Sequence, residues 1–183
     1  MLDVITIAGS PNANSRSAAV LEYVRRSLEQ RGLRTWGINV RDLPPDDLIY
    51  GRFDSPEVAQ SAALLSSARA VIVATPVYKA AYSGVLKTFF DLLPQRALAG
   101  KLVMPVATGG SPAHMLALDY ALRPLLGALG AQHVLQGVYI LDSQIQNGSG
   151  AFEIDPTVAE RLDGGLQYLV DELVGIEAIG HIR

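Results

Sequence analysis

A cluster of hydroxyl and guanidinium side chains follows the first apolar stretch of the chain, residues 5–8. The start of a helix exposes backbone N–H groups at the positive end of the helix dipole, and such side chains add further donors. The spacing matches neither the dinucleotide pattern G-x-G-x-x-G nor the triphosphate loop G-x-x-x-x-G-K-[ST]. The segment therefore predicts a site for a single phosphate group, and the alternative is an ordinary serine-capped loop. The cluster consists of Ser10, Ser15, Arg16 and Ser17, and Gly9 before it lets the backbone leave the strand sharply.

Two further stretches have the composition to contact a flat ligand. In residues 75–84 (TPVYKAAYSG), Pro76 fixes a turn and Tyr78 offers a flat face with a polar tip. In residues 108–111 (TGGS), small side chains allow backbone N–H groups to approach the edge of a ring. Together with a phosphate site, these two loops suit FMN. The predicted ring contacts are Pro76, Val77, Tyr78, Thr108, Gly109, Gly110 and Ser111.

Alternating apolar runs and helical patterns indicate the elements that would position these loops. Strands are predicted at residues 4–8, 35–40, 70–74, 102–107 and 134–141. Helices are predicted at residues 17–31, 55–68, 83–93, 113–129 and 156–174, and loops at residues 43–54 and 142–155. The alternation favours an α/β fold, a doubly wound five-stranded parallel sheet of order 2-1-3-4-5 with helices on both faces. The phosphate segment and both loops then fall at the carboxyl ends of the strands. Residues 1–174 are predicted to form one domain, followed by a tail at 175–183.

Composition narrows the classes of partner. The chain has 183 residues, no cysteine and a formal charge of −3. A slightly acidic balance argues against nucleic acid, and the absence of cysteine excludes disulfides and thiolate chemistry. The three histidines lack metal-ligand spacing, so no metal site is predicted. No apolar run is long enough to span a bilayer, which argues against a membrane location and favours a cytoplasmic one.

The motifs resemble those of the flavodoxin-like NADPH-dependent FMN reductase family, over residues 5–143. That family carries a G-S-x-x-x-x-S-x-S phosphate loop, matched at Gly9, Ser10, Ser15 and Ser17. It also carries a P-x-Y-x-x-x-x-S-G-x-L-K segment, matched at Pro76, Tyr78, Ser83, Gly84, Leu86 and Lys87. Further short matches, among them residues 52–56 (RFDSP) and 119–122 (DYAL), are similar to the alkanesulfonate-desulfonation branch.

The resemblance implies hydride transfer from NADPH to FMN. In the desulfonation branch, it further implies that reduced FMN leaves the protein and is used by a partner two-component monooxygenase. Because the cofactors carry this chemistry, no side chain is expected to act as nucleophile or general base. Lys79 is also placed among the cofactor-binding residues. Because Lys79 and Arg16 are expected at the ligand edge, both are candidates to contact the ribose phosphate of NADPH; the alternative for Lys79 is a solvated loop lysine. In the desulfonation branch a tyrosine widens a helix into a π-bulge at a tetramer interface. We carry that feature to Tyr120 as a hypothesis, together with a homotetramer; the alternative is a surface tyrosine on a proline-kinked helix.

Other classes stay open at this point. A flavodoxin-type electron carrier would retain FMN without oxidising NADPH, and a scaffold protein would bind no flavin. A quinone or azo reductase with bound FMN is a further alternative among enzymes. A flavin reductase would differ from a quinone reductase in that its rate is higher with excess free FMN than with quinone.

Overall fold

Short apolar runs of the sequence form the parallel strands at the centre of the molecule. The computed structural model of the chain describes residues 2–147 and 152–180. Its parallel strands are β1 (Leu2–Ala8), β2 (Thr35–Asn39), β3 (Ala68–Pro76), β4 (Leu102–Gly109), β5 (His133–Val134) and β6 (Val138–Leu141). They follow the order β2-β1-β3-β4-β5, with β6 also paired to β4, and every pair is parallel. The predicted order 2-1-3-4-5 is confirmed.

Helices cover both faces of this sheet, as predicted. The α-helices are α1 (Arg16–Gln30), α2 (Pro45–Tyr50), α3 (Pro56–Ser67), α4 (Gly84–Leu92), α5 (Arg123–Ala128) and α6 (Pro156–Gly180). Successive residues of β3 divide between the two apolar layers. Val73 packs in the layer that contains Phe89 of α4, whereas Ile72 packs in the layer that contains Leu162 of α6. Because both faces of the strand are covered, its sequence is a continuous apolar run rather than an alternating one.

The fifth strand position is occupied by two segments, where one strand over residues 134–141 was predicted. Val134 pairs with Val103 and Val138 pairs with Val106, so three residues of one strand face two of the other. Pro105 lies in this interval and has no N–H to donate. A Cβ on Gly137 would lie 3.2 Å from the Pro105 carbonyl oxygen, so the backbones pack tightly there. The pairing is therefore interrupted beside the proline.

Three other predicted boundaries were wrong. The predicted loop at 43–54 contains α2, and the predicted loop at 142–155 contains β7 (Ile145–Asn147) and β8 (Phe152–Ile154), which pair antiparallel. The last helix continues to Gly180, so the predicted tail from residue 175 is mostly helical, and residues 181–183 lie outside the described residues. Among the described residues, no helix combines the length and apolarity needed to cross a membrane.

The predicted helix at 113–129 is three different elements. It comprises a 3₁₀ turn at Pro112–His114, a π-helical segment at Leu118–Leu122 and α5. In the π-helical segment the Arg123 N–H donates to the Leu118 carbonyl five residues earlier. Pro124 follows at once and has no N–H to continue a regular ladder. Tyr120 lies at the centre of this segment and is 79% exposed.

Candidate flavin-binding site

The carboxyl ends of β1, β3 and β4 form one continuous edge, which we call the rim. The Gly9 N–H donates to the Ala74 carbonyl at 2.8 Å, which joins the ends of β1 and β3. The Val77 N–H donates to the Thr108 carbonyl at 2.8 Å, which joins the ends of β3 and β4. The Ser83 hydroxyl also donates to the Gly9 carbonyl. The three predicted loops are therefore brought together by backbone hydrogen bonds.

At the start of α1, three buried serines form the proposed phosphate loop. Ser15 caps the helix, because its hydroxyl accepts from the Ala18 N–H at 3.1 Å, and its oxygen lies 3.2 Å from that of Ser17. The Ser10 hydroxyl accepts from the Asn12 N–H at 3.1 Å. The N–H groups of the first residues of an α-helix have no acceptor within the helix. The segment thus keeps donor capacity at a positive helix end, as a phosphate requires.

Arg16 lies beside these serines with its side chain 45% exposed. Its Nε donates to the Ile145 carbonyl at 3.4 Å, and a terminal nitrogen lies 3.9 Å from Asp142 Oδ2. Both contacts are long, so the guanidinium keeps most of its hydrogen-bonding capacity.

The second loop ends in a tight turn from Tyr78 to Ala81. The Tyr78 N–H donates to the Ala81 carbonyl at 2.8 Å, and the Ala81 N–H donates back at 3.1 Å. The two central residues have positive φ, 50° at Lys79 and 64° at Ala80, as in a type I′ turn. Tyr78 is about half exposed, so its ring is accessible at the rim.

The third loop begins later than predicted, because Thr108 and Gly109 belong to β4. Thr108 is buried and Gly110 is exposed. A Cβ on Gly109 would lie 2.4 Å from the Tyr139 hydroxyl oxygen. That hydroxyl donates to the Ser111 carbonyl at 2.7 Å. Gly109 therefore permits a close approach of Tyr139, which in turn fixes the loop.

Two residues beside the rim, Tyr139 in β6 and Asp142 directly after it, were not predicted from the sequence. Burial raises the pKa of Tyr139, and the charge of Asp142 raises it further, so the hydroxyl stays protonated and donates. Asp142 faces both Arg16 and Gly110, whose Cβ would lie 3.8 Å from its Oδ2. Both residues lie at the carboxyl end of the predicted fifth strand. That position alone would have indicated them, because ligands bind at this edge of doubly wound sheets.

A cleft of about 270 Å³ adjoins the phosphate loop. It lies between the ends of β1 and β2 and is lined by Ser10, Asn12, Asn39 and Arg41, among others. Of the phosphate loop, Ser10 borders this open volume, whereas Ser15, Arg16 and Ser17 do not line it.

The residues at the rim fit FMN. The serine hydroxyls and the helix amides suit a phosphate dianion, and Arg16 adds a charge. Tyr78 supplies an accessible aromatic face, and residues 109–111 supply backbone without bulky side chains. The rim also lies at the reversal of winding between β1 and β3, because β1 pairs with β2 on one side and β3 on the other.

This sheet order and this edge define a flavodoxin-like α/β protein. A flavodoxin from Streptococcus pneumoniae shares the fold, with a TM-score of 0.64 at 16% identity, over 94% of this chain and 99% of that one. A crystal structure of the apo form of an NADH:FMN oxidoreductase (EmoB) is more similar, with a TM-score of 0.80 at 40% identity. The similarity covers 92% of this chain and 88% of the other.

The sequence comparisons are more specific than the fold. The family model described as NADPH-dependent FMN reductase matches residues 2–146. The FMN reductase (NADPH) of Escherichia coli K12 is 51% identical over 164 residues, which covers 90% of this chain and 86% of the relative. The chain belongs to the NADPH-dependent FMN reductase family. It is an oxidoreductase of a family that uses FMN and NADPH.

Proposed function

We propose that this chain transfers a hydride from NADPH to FMN at the rim and supplies reduced FMN to a separate monooxygenase that acts on alkanesulfonates. The convergence of the phosphate loop, the Tyr78 turn and the Gly109 loop at one edge is the observation that carries the proposed site. The family membership supports the reaction. The partner and its substrate class rest on the short sequence matches to the desulfonation branch.

In this proposal the rim residues bind and orient the flavin. Ser10, Ser15, Ser17 and Arg16 hold the phosphate. Pro76, Val77 and Tyr78 contact the ring, and residues 108–111 contact its edge. When bound, FMN accepts the hydride and carries both electrons, so the protein contributes orientation rather than acid–base catalysis. The Tyr139 hydroxyl keeps the third loop in place through Ser111.

The exposure of the rim supports release of the flavin. Tyr78 and Arg16 are each about half exposed, and the Ser10 end of the phosphate loop borders a cleft. Although the three serines are buried, a flavin ring lying against Tyr78 would keep a path to solvent within one chain. This supports a flavin that exchanges with the medium, as transfer to a partner requires.

We also propose a homotetramer with Tyr120 at a subunit contact. Tyr120 is 79% exposed, and Met115 and Leu116 on the preceding turn are each 54% exposed. Exposure of three neighbouring apolar side chains to water is unfavourable, and contact with another chain would bury them.

The test uses the purified protein with NADPH and free FMN. We expect NADPH oxidation that depends on FMN and that is faster with excess FMN than with a quinone. Addition of an alkanesulfonate monooxygenase, an alkanesulfonate and dioxygen should then give sulfite with NADPH as the sole added reductant. Light scattering should give the mass of four chains. A faster rate with quinone would favour a quinone reductase. Tightly retained FMN without NADPH oxidation would favour an electron carrier, and no flavin binding at all would favour a scaffold protein.

A further inference from the structure

Cationic side chains at and beside the rim differ in their partners; those compared are Arg16, Lys79 and Arg41, which follows the neighbouring strand β2. Arg16 contacts Asp142 and the Ile145 carbonyl, and Arg41 lies 3.2 Å from Asp42. Lys79, in contrast, has no hydrogen bond or ion pair with any residue in 2–147 or 152–180. Its ammonium is therefore available to an external anion without loss of an internal contact.

The other two lysines of the chain, in contrast to Lys79, do have hydrogen-bond or ion-pair partners. Lys87 pairs with Asp91 at 2.5 Å, and Lys101 donates to the Ala68 carbonyl at 2.6 Å. Arg96 also has no ion-pair partner among the described residues. It lies in the connection between α4 and β4, near the amino end of β4, and serves as a matched control.

The backbone at Lys79 is a second observation. Lys79 and Ala80 both have positive φ, a region that glycine adopts without steric cost and that other residues rarely occupy. Two such residues in succession strain the turn. Strain of this kind persists at binding sites, where the geometry or the side chain is used. The turn projects from the loop that carries Tyr78, next to the proposed flavin ring.

We infer that Lys79 binds the 2′-phosphate of NADPH and so sets the preference for NADPH over NADH. The two coenzymes differ only by this phosphate, and a lysine is a compact point charge on a long flexible stem that suits an exposed phosphate. The inference rests on the flavin site proposed above, because Lys79 matters only if the nicotinamide coenzyme reaches Tyr78.

The experiment compares kcat/KM for NADPH and NADH, at saturating FMN, in four proteins. These are the wild type, Lys79→Gln, Lys79→Arg and the control Arg96→Gln. Loss of one charge-assisted hydrogen bond should lower kcat/KM for NADPH about tenfold in Lys79→Gln, with a change of less than about twofold for NADH. Lys79→Arg should recover most of the activity with NADPH, and Arg96→Gln should match the wild type with both coenzymes.

A further Lys79 variant separates the effect of losing the charge from an effect on folding. Lys79→Gly removes the ammonium but suits the positive φ, so it should unfold at a higher temperature than the wild type and still lose the preference for NADPH. Equal losses with both coenzymes, or no loss with either, would overturn the inference. The FMN dissociation constant should not change in any of these variants. The proposed flavin site would instead be rejected if variants at Ser10 and Tyr78 bound FMN as tightly as the wild type does.

Discussion

The polar groups at the amino end of α1 and those further along the helix differ in how many hydrogen-bond partners they have within the protein. At the amino end, the rim keeps donors without internal acceptors, and the Ser10 hydroxyl only accepts. Further along, α1 is joined to α6 by a contact that we call the clamp, formed by Tyr23, Ser27, Arg31 and Asp163. Both Tyr23 and Ser27 donate to Asp163 at 2.7 Å, and Arg31 lies 3.4 Å from it. In the clamp, hydrogen-bonding capacity is used for contacts within the fold, whereas at the rim part of it has no partner within the described residues.

The pKa values in the clamp follow from these bonds. Burial opposes ionisation of Asp163, but hydrogen bonds from Tyr23 and Ser27 and the charge of Arg31 hold its pKa below 3.8. Burial and the hydrogen bond to Asp163 raise the pKa of Tyr23 to about 12. The clamp therefore keeps one charge pattern, a carboxylate with protonated donors, over a wide pH range. Changes in the clamp should alter stability alone, and changes at the rim should alter ligand affinity alone.

Gly109→Ala is expected to break this separation, because Gly109 is a rim residue with a packing role. Its new Cβ would displace the Tyr139 hydroxyl and so break the bond to the Ser111 carbonyl. We expect the free energy of unfolding to fall by about 1–3 kcal/mol, the usual cost of overpacking, and FMN to bind more weakly. Urea unfolding and FMN titration measure the two effects.

Gly110→Ala is the matched control for stability alone, because its Cβ would have space. The double variant Gly109→Ala, Tyr139→Phe removes the oxygen that is displaced and should be more stable than Gly109→Ala alone. A Gly109→Ala protein as stable as the wild type would show that Tyr139 does not depend on this glycine.

Asp163→Asn tests the clamp. The loss of the charged acceptor should lower the free energy of unfolding by about 1–2 kcal/mol, because two hydrogen bonds and a partly exposed ion pair are weakened. Because the folded pKa of Asp163 is lowered, its contribution is present above pH 3.8 and is lost as the pH falls through the folded pKa. The variant should therefore lose less stability between pH 5 and pH 3 than the wild type.

Urea unfolding at several pH values is the measurement, and the FMN dissociation constant at pH 7 is the control. A large change in FMN affinity would contradict the separation between clamp and rim.

Arg16→Gln tests the rim and should have the smallest effect on stability. Because the side chain is half exposed and its contacts are long, the free energy of unfolding should change by no more than about 0.5 kcal/mol. The dissociation constant of FMN should rise about tenfold, since one charged contact to the phosphate is lost. Riboflavin lacks the phosphate, so its affinity should not change. An equal change for both flavins would remove Arg16 from the phosphate site.

Much of the fold could be predicted from the sequence because buried parallel strands are short apolar runs ended by turn residues. The order β2-β1-β3-β4-β5 then follows from alternation of strands and helices. The interrupted fifth strand and the β7–β8 hairpin were not predicted, whereas a π-bulge at Tyr120 was expected only from the resemblance to the desulfonation branch. Each depends on what a neighbouring segment supplies, as Pro105 does for β5 and β6.

For the site, residue types and their places at strand ends indicated the phosphate loop and the two ring loops, since backbone exposure there is a local property. Tertiary structure decided which groups already have partners. Tyr139 supports Ser111 from 28 positions along the chain, and Asp142 reaches Arg16. The Lys79 side chain has no hydrogen bond or ion pair among the described residues. Such pairings depend on distances between segments remote in sequence, which periodicity and spacing do not contain.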